Sequence, residues 1–370
     1  MDKSSSLGRF LASRWGPIVT GAAAGILAPI LVKLGNPGNM GLGIACFTRD
    51  IAGALGLHRI AIGQYIRPKI IGLVLGALIA ALLFREFRPR AGSGPLLRFF
   101  LGAFAMIGAL VFLGCPWRAC LRLAGGDWNS LWGFLGLVGG VSVGIGFLRL
   151  GFSLGAPRPA PRALGWVMPL LMIVLLLLLV FAPQFRRDAD GNPIGPIFVS
   201  QEAPGGQHAP LVISLLAGLL IGFLAQRSRF CTIAAVRDVI MVRDPHLLYG
   251  ILALVGTALF TNLALGQFDP GFEGQPVAHT DVLWNVGGML LCGLASTLAG
   301  GCPGRQFFLC GEGDTDAGVF VLGMLAGAAF AHNFNAASCS ATVGLYGPSL
   351  VIVGLIACMV MGLTVREPGV

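Results

Sequence analysis

The sequence predicts an all-α polytopic membrane protein, arranged as two inverted five-span repeats with re-entrant or half helices around a central pore. Three observations carry that expectation: the composition, a series of long apolar runs, and a motif that occurs once in each half. Of 370 residues, 55% are hydrophobic and 11% charged, with 56 glycines; a soluble domain carries about 25% charged residues, and glycine is frequent in membrane helices. The net charge of +9 fits basic cytoplasmic loops or attraction of anions, and no nucleic-acid partner is expected.

A hydrocarbon core about 30 Å thick needs about 20 apolar residues in a helix. Runs of that kind fall near 15–34, 70–84, 96–113, 131–148 and 164–181, then near 211–225, 247–265, 282–299, 318–334 and 345–363. The start, "MDKSSSLGRFLASRWGPIVTG", lacks a small-residue cleavage signature and reads as a retained first span. Four shorter pieces, 41–57, 231–242, 116–123 and 303–310, cannot cross and read as re-entrant or half helices. Lys3, Arg9 and Arg14, the cluster Arg85, Arg88, Arg90 and Arg98, and the cluster Arg227, Arg229, Arg237 and Arg243 place both termini in the cytoplasm. The stretch 35–69 resists this topology, because it would lie outside with Arg49, Arg59, Arg67 and Lys69.

At an offset of 187, nine of 27 consecutive positions from Gly114 to Gly140 are identical to Gly301 to Gly327, without a gap. Each half has five spans, so the second enters the bilayer from the opposite side, the inverted arrangement of many transporters. The expected division is a first transmembrane repeat over 1–183, a connecting loop over 184–208 and a second repeat over 209–370. Cys115 then approaches the pore from outside and Cys302 from inside.

The shared motif is Gly-Cys-Pro-x-Arg: Gly114, Cys115, Pro116 and Arg118, then Gly301, Cys302, Pro303 and Arg305. Proline suits the first position of a helix, so Pro116 and Pro303 are expected to open half helices with each cysteine at the N-cap. Free amides and the positive dipole end then face the thiol and favour an anion. Arg118 and Arg305 add fixed positive charge, and Gly114 and Gly301 let the backbone approach a ligand. Thiols are soft, polarizable donors, matched to a soft sulfur atom. The bland alternative is a tight packing turn with a buried cysteine and arginines reaching toward headgroups.

Cys231 opens the re-entrant piece "RFCT" and joins the candidate set; so does Cys46 of "ACFTRD", although the position equivalent to Cys231 is Gly43. Cys120, Cys292, Cys310, Cys339 and Cys358 read as packing. With no C-x-x-C pair and scattered histidines, neither a metal site nor a cofactor is expected, and no catalytic residue is assigned. The adjacent pairs Arg49-Asp50 and Arg237-Asp238 are expected to bind partners elsewhere, since neighbouring helix positions diverge by about 100°. Asp127 and Asp314 read as helix N-caps.

The duplicated "GCPWR" and "GCPGR", with "CFTRD" and "RFCTIAAVRD", resemble the YeeE/YedE family of bacterial sulfur-compound transporters over nearly the whole chain. That resemblance implies thiosulfate uptake across the inner membrane, passed between pore cysteines by thiol hydrogen bonds without covalent capture. Carried over, the relay would use Cys115, Cys302 and Cys231. "NPGNMG" and "FEGQPVAHT" look more like a subgroup associated with selenium metabolism. A cytoplasmic sulfur carrier or selenium-handling protein is the partner this analogy implies. Two other classes compete: a membrane thiol oxidoreductase, disfavoured by the lack of a close cysteine pair in the sequence, and a heavy-metal carrier, disfavoured by spread cysteines beside arginines.

Overall fold

A computed structural model describes residues 6–182, 186–187, 193–194 and 197–366. Lys3 and much of the expected 184–208 connection lie outside the described residues. The first half carries α1 (Ser6–Leu11), α2 (Trp15–Lys33), α3 (Ile44–Ala54), α4 (Pro68–Leu83), α5 (Pro95–Phe112), α6 (Pro116–Gly125), α7 (Asn129–Arg149) and α8 (Arg162–Phe181). The second carries α9 (Leu211–Arg227), α10 (Thr232–Val242), α11 (His246–Leu265), α12 (Val282–Leu298), α13 (Pro303–Gly311), α14 (Thr315–Asn333) and α15 (Gly347–Thr364). Two-residue strands form two small antiparallel pairs, Arg90–Ala91 with Arg158–Pro159 and Arg186–Arg187 with Pro193–Ile194.

Among the described residues, nine helical stretches are long and apolar enough to cross a bilayer. They correspond to nine of the ten expected runs; the tenth, α4, has 16 residues and falls short of that length. The chain is a multi-pass membrane protein. All four short pieces form helices of 9 to 11 residues. Proline at the first turn starts α4, α5, α6 and α13, where its missing N–H costs nothing. Between α5 and α6 the chain turns at Leu113, a non-glycine residue with φ of 61°.

Helices pack across the two halves: α7 on α12, α5 on α14, α4 on α9, α2 on α11, and α5 on α12. Small residues permit the close approach, as is usual where lipid supplies no hydrophobic drive between helices. A Cβ on Gly136 would stand 2.1 Å from the Val286 carbonyl oxygen, and one on Gly323 would stand 2.0 Å from that of Phe99. Gly323 is Gly136 displaced by 187 positions, and Val286 is Phe99 displaced by the same number.

Two loops cover one end of the short helices. The loop 266–281 lies over α6, where Asp269 N–H donates to Gly125 O at 3.0 Å and Asn129 Nδ2 donates to Phe272 O at 2.6 Å. Residues 197–209 lie over the α3–α4 connection, where Phe198 N–H donates to Ala54 O at 2.9 Å and Ser200 N–H to Gln64 O at 2.7 Å. At the other end, Glu86 accepts from Gln226 Nε2 at 2.8 Å and pairs with Arg227 and Arg229.

Partial burial alone would raise the Glu86 carboxyl, but the Gln226 hydrogen bond and then the Arg229 and Arg227 guanidiniums outweigh it and hold the group below the ordinary carboxylate value. A carboxylate lowered on folding stabilises at pH above its unfolded value and loses that contribution as pH falls through its folded value. Melting of the detergent-solubilised protein should therefore show Glu86→Gln less stable than wild type at pH 7. The gap should narrow as pH falls below about 4, the ordinary carboxylate range, and close only once pH has passed below the group's lowered folded value. A gap that persists in acid would assign Glu86 a purely steric role.

Candidate functional site at the half-helix termini

Cys115 and Cys302 cap α6 and α13, as their prolines require, and Cys231 caps α10. Cys46 lies in the first turn of α3, whose N-cap is Gly43. All four thiols are free and buried. The Cys302 sulfur accepts from Arg305 N–H at 3.3 Å, within its own half helix, and the Thr232 amide of α10 also lies against it. Cys115 is placed similarly, near the amides of Ala45 in α3 and Arg118 in α6, but unlike Cys302 it makes no side-chain cap hydrogen bond. Each motif thiol is thus held between the N-termini of two half helices. Two positive dipole ends converge there, where a negative ligand is favoured.

The fold also joins cysteines that are far apart in sequence. Cys231 Sγ accepts from Cys302 N–H at 3.4 Å and from Ala234 N–H at 3.4 Å. The absence of a close pair in the sequence therefore does not extend to space. Cys46 Sγ lies 3.9 Å from Arg118 Nη1, which places Cys46 beside the first motif. Between the motifs, Gly304 carries no side chain because none fits: a Cβ there would stand 2.6 Å from Ile44 Cδ1 and 2.8 Å from Trp117 Nε1. Trp117 packs edge-on against Phe230, with ring centroids 4.9 Å apart. Its buried Nε1 has no hydrogen-bond partner among the described residues.

Several expectations about the charged residues need correction. Arg118 is fully buried and already occupied: it donates to Asn39 O at 3.3 Å, to Pro276 O and Val277 O at 3.1 Å each, and to Leu113 O. The left-handed turn at Leu113 frees the carbonyl that accepts it. Arg305 pairs with Glu312 at 3.1 Å. Arg305 is thus ion-paired, whereas the Arg118 charge meets carbonyl dipoles and no carboxylate. Gly114 and Gly301 sit against side chains: an added Cβ would stand 3.2 Å from Phe112 Cε1 at Gly114 and 3.0 Å from Arg305 Cγ at Gly301.

Arg49 and Asp50 do bind each other, with Nε to Oδ1 at 2.9 Å, and so do Arg237 and Asp238, also at 2.9 Å. Long arginine side chains curl back across the divergence that separates the Cβ atoms. Asp50 additionally accepts from Arg67 Nε at 2.7 Å. Lys69 is buried, donates to Gly41 O at 3.0 Å and stands 4.3 Å above the Phe47 ring. Three of the cations that resisted the topology are therefore packed inside the protein and are not part of a solvated loop. Asp314 caps α14 as expected. Asp127 does not cap α7 directly; it accepts from Asn129 N–H at 3.0 Å and pairs with Arg122 at 2.6 Å. Cys120, Cys292, Cys310 and Cys358 are buried, whereas Cys339 is exposed and packs in no core.

Sequence reasoning missed Ala45, Thr232, Trp117 and Glu312. Their only signal was adjacency to a candidate cysteine or to the half helix it starts. Among the described residues no group of three or more His, Cys, Asp or Glu is placed to hold a metal ion.

A stretch of 103 residues is 31% identical to the thiosulfate transporter TsuA of Escherichia coli, covering 28% of this chain and 29% of that protein. A stretch of the same length is 34% identical to the thiosulfate transporter TsuA of Spirochaeta thermophila, covering 28% of this chain and 31% of that protein. The chain thus aligns with less than a third of either relative's length. The profile of a family described as Sulphur transport extends much further, over residues 2–116 and 227–357. Those segments include both Gly-Cys-Pro-x-Arg cysteines and span more than half of the sequence, so the chain belongs to the Sulphur transport family.

Proposed function

We propose that this protein carries thiosulfate, or a closely related sulfur- or selenium-containing anion, across the inner membrane, by hydrogen bonds from Cys115, Cys302, Cys231 and Cys46 and without covalent capture. The observation that carries this reading is the shared setting of Cys115 and Cys302, each held between two half-helix N-termini. Converging amides favour the negative charge, while a thiol suits the soft terminal sulfur. Pro116 and Pro303 fix the caps. Arg118 and Arg305 hold the surrounding loops in register.

The reading includes an inverted repeat with the route between its halves, residues 1–183 against 209–370. It is supported by the glycine contacts at Gly136 and Gly323, which map onto each other with one offset. Burial of Arg49, Arg67 and Lys69 removes the main objection to cytoplasmic termini. Trp117 and Ile44 pack against Gly304, so passage between the motifs requires them to move aside. The selenium-associated subgroup rests on the "NPGNMG" and "FEGQPVAHT" segments, and a cytoplasmic sulfur carrier or selenium-handling protein would receive the cargo. No catalytic step is assigned.

Proteoliposomes offered thiosulfate, sulfide, selenite and sulfate in parallel test the proposal. Thiosulfate or a selenium anion should accumulate, and sulfate, which has no soft terminal atom, should not. Equal flux of sulfate and thiosulfate would overturn the soft-donor reading. A second reading, a thiol oxidoreductase, draws on the proximity of Cys231 to Cys302. It requires a disulfide between them during turnover, which mass spectrometry of the working protein would detect.

A further inference from the structure

Glu312 lies at the C-terminal end of α13 with a side chain only 2% exposed. Its Oε1 stands 2.8 Å from Arg229 Nη1 and 3.1 Å from Arg305 Nη2, while Oε2 stands 3.4 Å from Arg90 Nη2. Arg229 precedes Cys231 by two positions and Arg305 follows Cys302 by three. Both guanidiniums that grip this one carboxylate oxygen are therefore attached to the paired cysteines. The Arg229 side chain is 48% exposed and that of Arg305 is 11%, so the cations lead from solvent toward the thiols. Arg305 Nη1 is buried and has no hydrogen-bond partner among the described residues.

We propose that Arg229 and Arg305 form an oxyanion-binding site at the mouth beside Cys231 and Cys302, and that the Glu312 carboxylate is its tethered occupant, displaced by the arriving anion. The inference rests on the transport reading above. A carboxylate and the oxygens of thiosulfate or sulfate present the same chemistry to a guanidinium pair. The spare Nη1 gives a two-oxygen ligand a donor that Glu312 leaves unused. When Glu312 withdraws, Arg229 keeps its second carboxylate, Glu86, at 3.2 Å, and Arg90 keeps Asp314 at 2.6 Å, so neither cation is stranded. The first half has no such tether. The position equivalent to Glu312 is Gly125, and Arg118 has no carboxylate partner among the described residues: it donates to main-chain carbonyls and lies 3.9 Å from Cys46 Sγ. The competing anion belongs to one mouth only.

The test measures sulfate binding to detergent-purified protein by calorimetry, and thiosulfate uptake with sulfate as inhibitor in proteoliposomes. Glu312→Gln should bind sulfate about fivefold more tightly and lower the apparent KM for thiosulfate to match, the scale of one partly exposed ion pair. Arg305→Gln should shift both the other way. Glu273→Gln, which removes the same charge from an exposed position in the 266–281 loop at the opposite end of the short helices, should leave sulfate affinity unchanged. If Glu312→Gln melts like wild type and sulfate affinity stays equal or falls, Glu312 is a structural brace and the proposal is overturned. Should that variant not fold, Glu312→Asp, too short to reach both arginines, must tighten sulfate binding for the proposal to stand. If wild type moves no thiosulfate while Glu312→Gln still tightens sulfate, the transport reading fails and the anion site remains.

Discussion

Replacing Cys302 with serine should cut thiosulfate uptake by at least about tenfold, with the protein still folded. The serine hydroxyl can still donate to the anion, so the loss is that of the soft sulfur contact; a tenfold effect corresponds to about 1.4 kcal/mol. Serine keeps the N-cap role, since its hydroxyl accepts from the Arg305 amide at least as well as sulfur does. What disappears is the soft, polarizable donor. Cys115→Ser should behave alike, because its thiol also sits at the N-cap of a proline-started short helix and near the Ala45 amide of α3. Cys358→Ser and Cys339→Ser serve as controls, one buried away from the half helices and the other exposed. Both should retain wild-type flux per folded molecule. Wild-type uptake in Cys115→Ser and Cys302→Ser together would end the relay.

Arg118→Met should have the largest effect on stability. Methionine fills much of the volume but leaves the carbonyls of Leu113, Asn39, Pro276 and Val277 without their shared donor. The Leu113 acceptor is buried and the other three are part-buried, and a buried acceptor left unsatisfied costs about 1–3 kcal/mol, so a loss of about 3 kcal/mol is expected. Lysine should rescue it only in part, because a compact ammonium cannot span carbonyls arranged around a planar fork. The readouts are the melting temperature in detergent and the rate of proteolysis within 266–281, the loop Arg118 ties down. Unchanged protection of that loop in Arg118→Met would show that other contacts hold it. Arg305→Met should be milder, since Glu312 keeps Arg229 and Arg90.

The contrast between these two arginines shows how far the sequence reaches. Gly-Cys-Pro-x-Arg reads identically in both halves, yet Arg118 ends among main-chain carbonyls and Arg305 on a carboxylate. The motif positions each guanidinium, but its partners come from segments 158 and 159 residues away in the first case. The second partner was nearer, seven residues on, and was still missed, because Glu312 reads as an ordinary loop acid until α13 turns it inward. Arg49-Asp50 failed for another reason. Helical divergence was applied to Cβ directions, whereas a long arginine side chain bends far enough to reach its neighbour's carboxylate.

By itself the sequence determined the membrane class, nearly every span, all four short helices and the cysteine caps, because apolar length and proline at a first turn act within about 20 residues of chain. Only the tertiary structure decided that Cys231 meets Cys302, that the amides of Ala45 and Thr232 lie near the motif thiols, and that Glu312 pairs with Arg229 and Arg305. Those contacts join separate helices through glycine-lined crossings. Their partners are chosen by packing between distant segments, on which local propensity carries no information.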